Sequence, residues 1–213
     1  VKGIDVDKNK IFSLDRSKSY ITDIDDAELM TAARTKRFHP TSDYKVLKQC
    51  DVVIICVPTP LRKTKEPDIS YIINAANKIF EHFSSGKLII LESTTYPGTT
   101  EEVLLPILSA GKYKLKEDFY VAFSPERIDP GNKTYKTANI PKVVGGVCAH
   151  STGLAKMLYG RIVDRVITVS SSRAAEMVKM YENTFRSVNI GLANELALLS
   201  SRLGVDVWEV IDA

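Results

Sequence analysis

Glu126, Arg127 and Asp129 stand close together in the stretch Ala122 to Gly131, A-F-S-P-E-R-I-D-P-G, between Pro125 and Pro130. An apolar run with Phe119, Val121 and Phe123 leads into it. The stretch therefore reads as a strand end that turns sharply at Pro125 and presents a carboxylate and a guanidinium. Ligands of an open parallel sheet bind in the crevice outside the carboxyl ends of its strands. Three other predicted strand ends carry polar groups to that edge: Asp5 in V-K-G-I-D, Thr59 in V-P-T-P (Val57 to Pro60), and Ser93-Thr94 in E-S-T-T-Y-P-G-T-T. Four such hits on one edge point to a binding crevice. Lys179 and Asn183, four apart on a later helix, share one face and add a cation and an amide.

Each residue also has a plainer reading. An acid at the end of the second strand of a nucleotide-binding unit holds a ribose hydroxyl, but Asp5 equally suits a turn or a cap. The glycine-rich loop that precedes such an acid by about 20 residues is not found ahead of Val1. Two prolines fix an extended backbone around Thr59, whose hydroxyl is free to bond a ligand, or the segment is a stiff loop. The helix start near Thr99-Thr100, with Glu101 and Glu102 in its first turn, suits an anion or a water, or an ordinary Thr cap. Lys179 and Asn183 also fit a solvated stripe.

The elements that must position these groups alternate between strand and helix. Val1 to Asp7 reads as a strand, with Asp7 capping a helix through Leu14. Short helices are expected at Ile24 to Ala33 and Asp43 to Gln49, with an edge strand at Phe38-His39-Pro40. Asp51 to Val57 is continuously apolar, the pattern of a strand covered on both faces. Leu61 to Asp68 reads as a charged loop, and Ile69 to Phe83 as an amphipathic helix packed on the sheet. Strands follow at Lys87 to Leu91, Phe119 to Phe123, Lys142 to Gly146 and Arg165 to Val169, with a helix at Ala149 to Tyr159. The pattern predicts an α/β, doubly wound parallel sheet. From Ser172 apolar residues recur at helical spacing through Met177, Tyr181, Phe185, Val188, Leu192, Leu196, Leu199 and Leu203, and Gly204 supplies a stop. A helix of about 30 residues is roughly 45 Å long, too long for a crossover, so it opens a second domain or an oligomer interface. Another helix starts near Val205.

The totals exclude several classes. A chain of 213 residues, 44% hydrophobic and 26% charged, suits one large globular α/β domain, or one domain plus part of a second. A net charge of +3, with its cations spread out, argues against nucleic acid or an anionic membrane as the main partner. No apolar run reaches the roughly 20 residues of a membrane span, and no signal peptide is read where the chain opens into a strand. Cys50, Cys56 and Cys148 form no CxxC pair, which fits a reducing cytoplasm without disulfides. All three read as small hydrophobes, Cys56 inside a buried strand. His39 is given no chemistry, and no metal site is read.

The motifs G-I-D-V-D-K-N-K, V-P-T-P, E-S-T-T-Y-P-G-T-T, F-S-P-E-R-I-D-P-G, K-V-V-G-G and A-E-M-V-K-M-Y-E-N-T-F-R-S-V-N-I-G-L-A-N-E-L, in this order, span the whole chain. Together they resemble the UDP-glucose/GDP-mannose dehydrogenases, the nucleotide-sugar 6-dehydrogenases. The most specific part is the serine-proline-glutamate turn, followed some fifty residues later by Lys179 and Asn183. The resemblance implies a Rossmann-like NAD-binding domain over residues 1–169 and, from 170 to 213, a long helix opening an all-α central dimerisation domain. It implies four-electron oxidation of a sugar's C6 alcohol to a carboxylate by two NAD+, through an aldehyde and a cysteine thioester.

It also implies the roles. Asp5 holds the adenosine ribose, with Lys10 near it, and Val57, Pro58, Thr59 and Pro60 line the dinucleotide. Ser93 and Thr94 sit by the nicotinamide, Thr94 positioning a water. Glu126 is the general acid/base, Lys179 stabilises the oxyanion at C6, and Asn183 donates to the same centre. Such roles suit the chemistry, since a cation favours the alkoxide that expels hydride and a carboxylate activates the hydrolytic water. The family's glycine loop is expected before Val1, and its catalytic cysteine and UDP-binding domain beyond Ala213. S-P-E-R-I-D-P-G is most similar to the UDP-N-acetylglucosamine and UDP-N-acetylmannosamine subgroup, with Arg127 expected to bind the acetamido carbonyl. The implied setting is surface-polysaccharide precursor synthesis in the cytoplasm by a homodimer. The alternatives are a UDP-glucose 6-dehydrogenase, a two-electron 3-hydroxyacid-type dehydrogenase, and a non-catalytic dinucleotide-binding subunit.

Overall fold

The computed structural model describes residues 1–21, 24–127 and 139–213; Asp129 and Pro130-Gly131 lie outside them. The apolar runs build the sheet. β3 (Val52–Ile55), β4 (Lys87–Leu91), β5 (Phe119–Phe123), β6 (Lys142–Gly146) and β7 (Val166–Thr168) form one five-stranded sheet in that order. β1 (Lys2–Ile4) and β2 (His39–Thr41) pair in parallel as a separate two-stranded sheet, with Ile4 against the main core. β2 runs one residue past Pro40 rather than ending at it.

Strand alternation divides the core between two faces. Val53, Ile55, Ile89, Leu91, Val121 and Phe123 meet Ile72, Ala76 and Ile79 of α3 (Ser70–Glu81). Leu88, Ile90, Ala122 and Val144 meet Ala155 and Tyr159 of α5 (Ala149–Tyr159). Helices on both faces make this the doubly wound, Rossmann-like α/β sheet expected. α1 (Lys8–Asp15) and α2 (Asp26–Arg34) start at Asp7 and Asp25, whose carboxylates accept first-turn N–H groups. Tyr44–Gln49 forms a 3₁₀ turn. The charged loop after Pro60 is pinned by a Leu61–Pro67 bridge and an Arg62–Asp68 ion pair at 3.0 Å.

Two features differ from the expectation. β3 is the edge of the five-stranded sheet, and α5 packs mainly on β4 to β7. Its outer face is therefore open: Ile54 is 42% exposed and Cys56 is exposed, not buried. The second difference is direction. β3, β4 and β5 are parallel, but β6 runs antiparallel to β5, with Ala122 opposite Gly146 and Phe123 opposite Gly145. A turn can reverse a chain into an antiparallel neighbour, whereas a parallel neighbour needs a crossover. The reversal places Lys142, the first residue of β6, at the edge where β5 ends.

The wide helical turn Thr100–Leu104 continues into α4 (Leu105–Leu108). α6 (Ser172–Leu203) is the long helix of the pattern, 32 residues, capped by Gly204 at φ 69°, and α7 (Val207–Asp212) follows. Only Ser172, Ala175 and Glu176 of α6 are buried. Among the described residues no helix is long and apolar enough to cross a membrane.

The glycines of K-V-V-G-G let α6 and α5 begin directly on β6. A Cβ on Gly145 would stand 2.0 Å from the Ser171 carbonyl oxygen, and one on Gly146 2.5 Å from the Thr152 nitrogen. Gly153, inside α5, has open space around it. Gly145→Ala is expected to cost about 4 kcal/mol or more, and Gly153→Ala to gain about 0.5–1 kcal/mol. Thermal melts of the two variants side by side decide this; equal melting temperatures would refute the close-approach account.

Candidate active site

The carboxyl edge of the main sheet gathers most of the residues the motifs single out. Ser93 follows β4 and is buried, its hydroxyl donating to the Ile55 carbonyl at 3.3 Å. Thr94 is exposed beside it. Thr59 is not free: its hydroxyl donates to the Thr94 carbonyl at 2.7 Å, tying V-P-T-P to the end of β4. Pro58 and Pro60 are exposed and Val57 is half-buried.

Glu126 lies just past β5, its side chain 45% exposed. Its Oε1 accepts from the Arg127 backbone N–H at 2.7 Å, and its Oε2 is 3.3 Å from Lys142 Nζ. Lys179 reaches the same turn from α6, donating to the Glu126 backbone carbonyl at 2.5 Å. Burial lowers the Lys179 ammonium below the ordinary lysine value, against the opposing pull of the Glu182 carboxylate. Asn183 is exposed one turn further on the same helix. Arg127 is more committed than expected. Its guanidinium grips Glu182 of α6 through Nε at 3.2 Å and Nη2 at 2.5 Å, and Nη1 donates to the Pro141 carbonyl at 2.8 Å. Arg127 is thus first a clamp between turn and helix.

The helix start after Tyr96 does hold an anion, but the anion is the chain's own. Glu176, fully buried on α6, accepts from Gly98 N at 2.5 Å, Thr100 N at 2.8 Å and Thr100 Oγ1 at 2.6 Å. Thr99 makes no side-chain cap there, so the expected Thr cap is replaced by a carboxylate delivered from 76 residues away. Gly98 sits at φ 103°, where a Cβ would also meet the Glu102 carboxylate at 2.9 Å. Ser172 donates to Glu101 at 2.8 Å and Arg173 to Glu102 at 2.8 Å. These bonds fix the first two turns of α6 and so aim Lys179.

Asp5 and Lys10 form a separate pair. Lys10 Nζ is 3.3 Å from Asp5 Oδ2, and the Asp7 N–H bonds Oδ1. The Asp5 hydrogen bond and charge raise the Lys10 ammonium. The Asp5 side chain is 31% exposed just past β1, and its side-chain bonds stay within this first unit.

Sequence reasoning missed Lys142, Glu92 and Tyr159. Lys142, only 8% exposed, lies 3.3 Å from Glu92 Oε1 as well as from Glu126. The Tyr159 hydroxyl donates to Glu92, and burial beside that carboxylate pushes the phenol's pKa up. With Glu126 and Arg127 these residues line a cavity of about 200 Å³. Their signal was present, a charged residue at each end of an apolar strand, but the assumed parallel direction of β6 placed Lys142 at the wrong edge. Cys56 Sγ stands 3.8 Å from Glu92. Although the residue is exposed at the sheet edge, desolvation by the surrounding protein, then the Glu92 charge, push its thiol up to about 12, so it remains a thiol near neutrality.

The chain matches two family domains. Residues 1–163 match the UDP-glucose/GDP-mannose dehydrogenase family, NAD binding domain, and residues 173–213 match the family's central domain. A UDP-N-acetyl-D-glucosamine 6-dehydrogenase of Salmonella typhi is 37% identical over 215 residues, covering 100% of this chain and 50% of that protein. The solved structure of a UDP-D-ManNAc dehydrogenase from Pyrococcus horikoshii superposes with TM-score 0.90 at 38% identity, over 100% of this chain and 51% of that one. A ternary complex of a GDP-mannose dehydrogenase from Pseudomonas aeruginosa gives TM-score 0.88 at 29% identity, over 100% and 50%. The chain spans about half the length of these relatives.

Glu176→Gln puts an N–H₂ group among three donors, and the loss is expected to be about 2 kcal/mol. Burial, the largest influence, raises the Glu176 carboxyl above 4.5 in the folded state. Between 4.5 and that raised value the folded chain holds more protons than the unfolded one, so falling pH stabilises it there. The Gln variant lacks this titration. The stability gap should widen as pH drops through that window; denaturant titrations of both proteins at several pH values test it, and a constant gap would refute it.

Proposed function

This chain belongs to the UDP-glucose/GDP-mannose dehydrogenase family, and we propose that the intact protein oxidises the C6 alcohol of a UDP-N-acetylhexosamine to the carboxylate with two NAD+. The observation that carries this reading is the bond from Lys179 to the Glu126 turn. It brings a partly desolvated cation and a half-exposed carboxylate to the edge where β5 ends, and Ser93 and Thr94 follow the neighbouring strand β4. The relatives named as UDP-N-acetylglucosamine and UDP-N-acetylmannosamine dehydrogenases favour the acetamido sugars.

The residues present fit the cofactor. Asp5 offers a partly exposed carboxylate for a ribose hydroxyl, with Lys10 beside it, and exposed Pro58 and Pro60 flank an extended backbone. NAD+ supplies the hydride acceptor when bound. Lys179 would hold the alkoxide that forms at C6, Asn183 would donate to the same oxygen, and Thr94 would position a water. Glu126 would take the proton and later activate that water. Arg127 has three of its five N–H donors engaged, leaving two for an acetamido carbonyl. We read residues 1–169 as the dinucleotide domain and 170–213 as the start of the central domain, acting in the cytoplasm on polysaccharide precursors.

The exposed stripe Tyr181, Phe185, Val188, Leu192, Leu196, Leu199 and Leu203 supports a homodimer through α6. Light scattering of the full-length protein at micromolar concentration should give twice the chain mass, reduced to one by Phe185→Glu with Leu192→Glu; a wild-type monomer would refute the dimer. For the reaction, the full-length protein is given NAD+ and each UDP-sugar in turn, and NADH is counted per sugar consumed. Two NADH with an N-acetylhexosamine, and a loss of at least about 100-fold in Glu126→Gln, are expected. One NADH per sugar would favour a two-electron dehydrogenase, and none with any sugar would overturn the enzymatic reading.

A further inference from the structure

The geometry points to Lys142 as the positioning residue for Glu126, its ammonium shared between that carboxylate and the buried Glu92. This rests on the acid/base reading of Glu126 given above. Lys142 opens β6, and the antiparallel pairing of β6 with β5 brings it to the edge where Glu126 emerges. Its Nζ stands 3.3 Å from Glu92 Oε1 and 3.3 Å from Glu126 Oε2, and 5.2 Å from the centre of the Tyr159 ring. The side chain of Glu92 is 12% exposed and that of Lys142 10%, against 45% for Glu126. The chain thus runs from an enclosed anchor to an accessible working end. Tyr159 donates to Glu92 and fixes its carboxylate, Glu92 fixes the ammonium, and the ammonium fixes Glu126 Oε2.

Oε1 is meanwhile held by the Arg127 backbone N–H. Oε1 is therefore placed by a donor of the turn and Oε2 by one of the sheet, while Lys179 donates to the backbone carbonyl of the same residue. Two separate lysines serve one glutamate, one for its carboxylate and one for its main chain. A cation at this distance favours the ionised carboxylate. Sharing that cation with Glu92 tempers the effect, so Glu126 can still take up a proton in turnover. Among the described residues, the charged and titratable groups that face this pair are Glu92 and Cys56 at the ends of β4 and β3, Tyr159 on α5, Arg127 in the turn, and Lys179 and Glu182 on α6.

The test uses the full-length enzyme and four variants: Glu126→Gln, Lys142→Arg, Glu92→Gln, and the double variant Lys142→Met/Glu92→Gln. The double variant removes the buried charges together, so Glu92 is not stranded. Melting temperature and NAD+ binding report folding. In the double variant kcat should fall on the order of 10- to 100-fold, no more than the lower end of the 10²–10⁴ that acid/base catalysis supplies, with KM for the sugar little changed. The acid limb of its kcat profile should move up, because the lost cation stood closer to Glu126 than the Glu92 charge removed with it, which offsets part of the shift. Glu92→Gln should move the same limb the opposite way, since the ammonium is then no longer shared. Lys142→Arg should restore most of kcat. A merely structural Lys142 would lower the melting temperature without moving the limb in opposite directions. Unmoved limbs and unchanged kcat in the Lys142 and Glu92 variants, alongside an inactive Glu126→Gln, overturn the positioning role alone. Full activity in Glu126→Gln overturns the reading on which it rests.

Discussion

The buried carboxylate of Glu176 joins the two halves of this structure. A lone anion taken out of water costs several kcal/mol, and the sheet offsets that cost with two backbone N–H groups and a hydroxyl at the start of the Thr100–Leu104 turn. The site has the same chemistry as the anion-binding helix N-termini of phosphate proteins, turned to an internal use. Because Glu176 can sit in only one place, α6 leaves the sheet in a fixed direction. Lys179 lies one turn further on and therefore meets the Glu126 carbonyl. Ser172 and Arg173, on Glu101 and Glu102, keep that first turn from rotating.

The second constraint is the direction of β6. In a strictly parallel sheet the start of each strand lies at the edge opposite the ligand crevice. Reversing β6 puts its first residue, Lys142, at the crevice and its last two, Gly145 and Gly146, under the starts of α6 and α5. One strand thus contributes a cation at one end and close backbone approach at the other. The glycines need no side chain there because a side chain is what the packing excludes.

Much of this was legible in the residues. Continuous apolar runs gave β3, β4 and β5, amphipathic spacing gave α3, and the 3–4 spacing to Gly204 gave α6 almost to the residue. The order of the motifs carried the family. What local pattern could not supply was partnership across the chain. V-V-G-G reads the same parallel or antiparallel. Glu176 looks like any surface acid of a helix until Gly98, 78 residues earlier, is placed beside it. Arg127 looks available until Glu182 is seen to take its fork. Cys56 looked buried because a strand run does not say which strand is the edge.

These long-range partnerships share a form. The turn bearing Glu126 is held from the sheet side by Lys142, anchored on Glu92, and from the helix side by Lys179 and the Arg127–Glu182 pair. Opposite charges alternate across it in a partly desolvated place, where breaking a pair costs more than at the surface. Ser124 to Arg127 lie in no helix or strand that would keep them in place. The charges substitute for that, and they leave the Glu126 carboxylate the most exposed acid in the chain of contacts. Rigid anchoring at the buried end and exposure at the other suit the proton-transfer role proposed for Glu126.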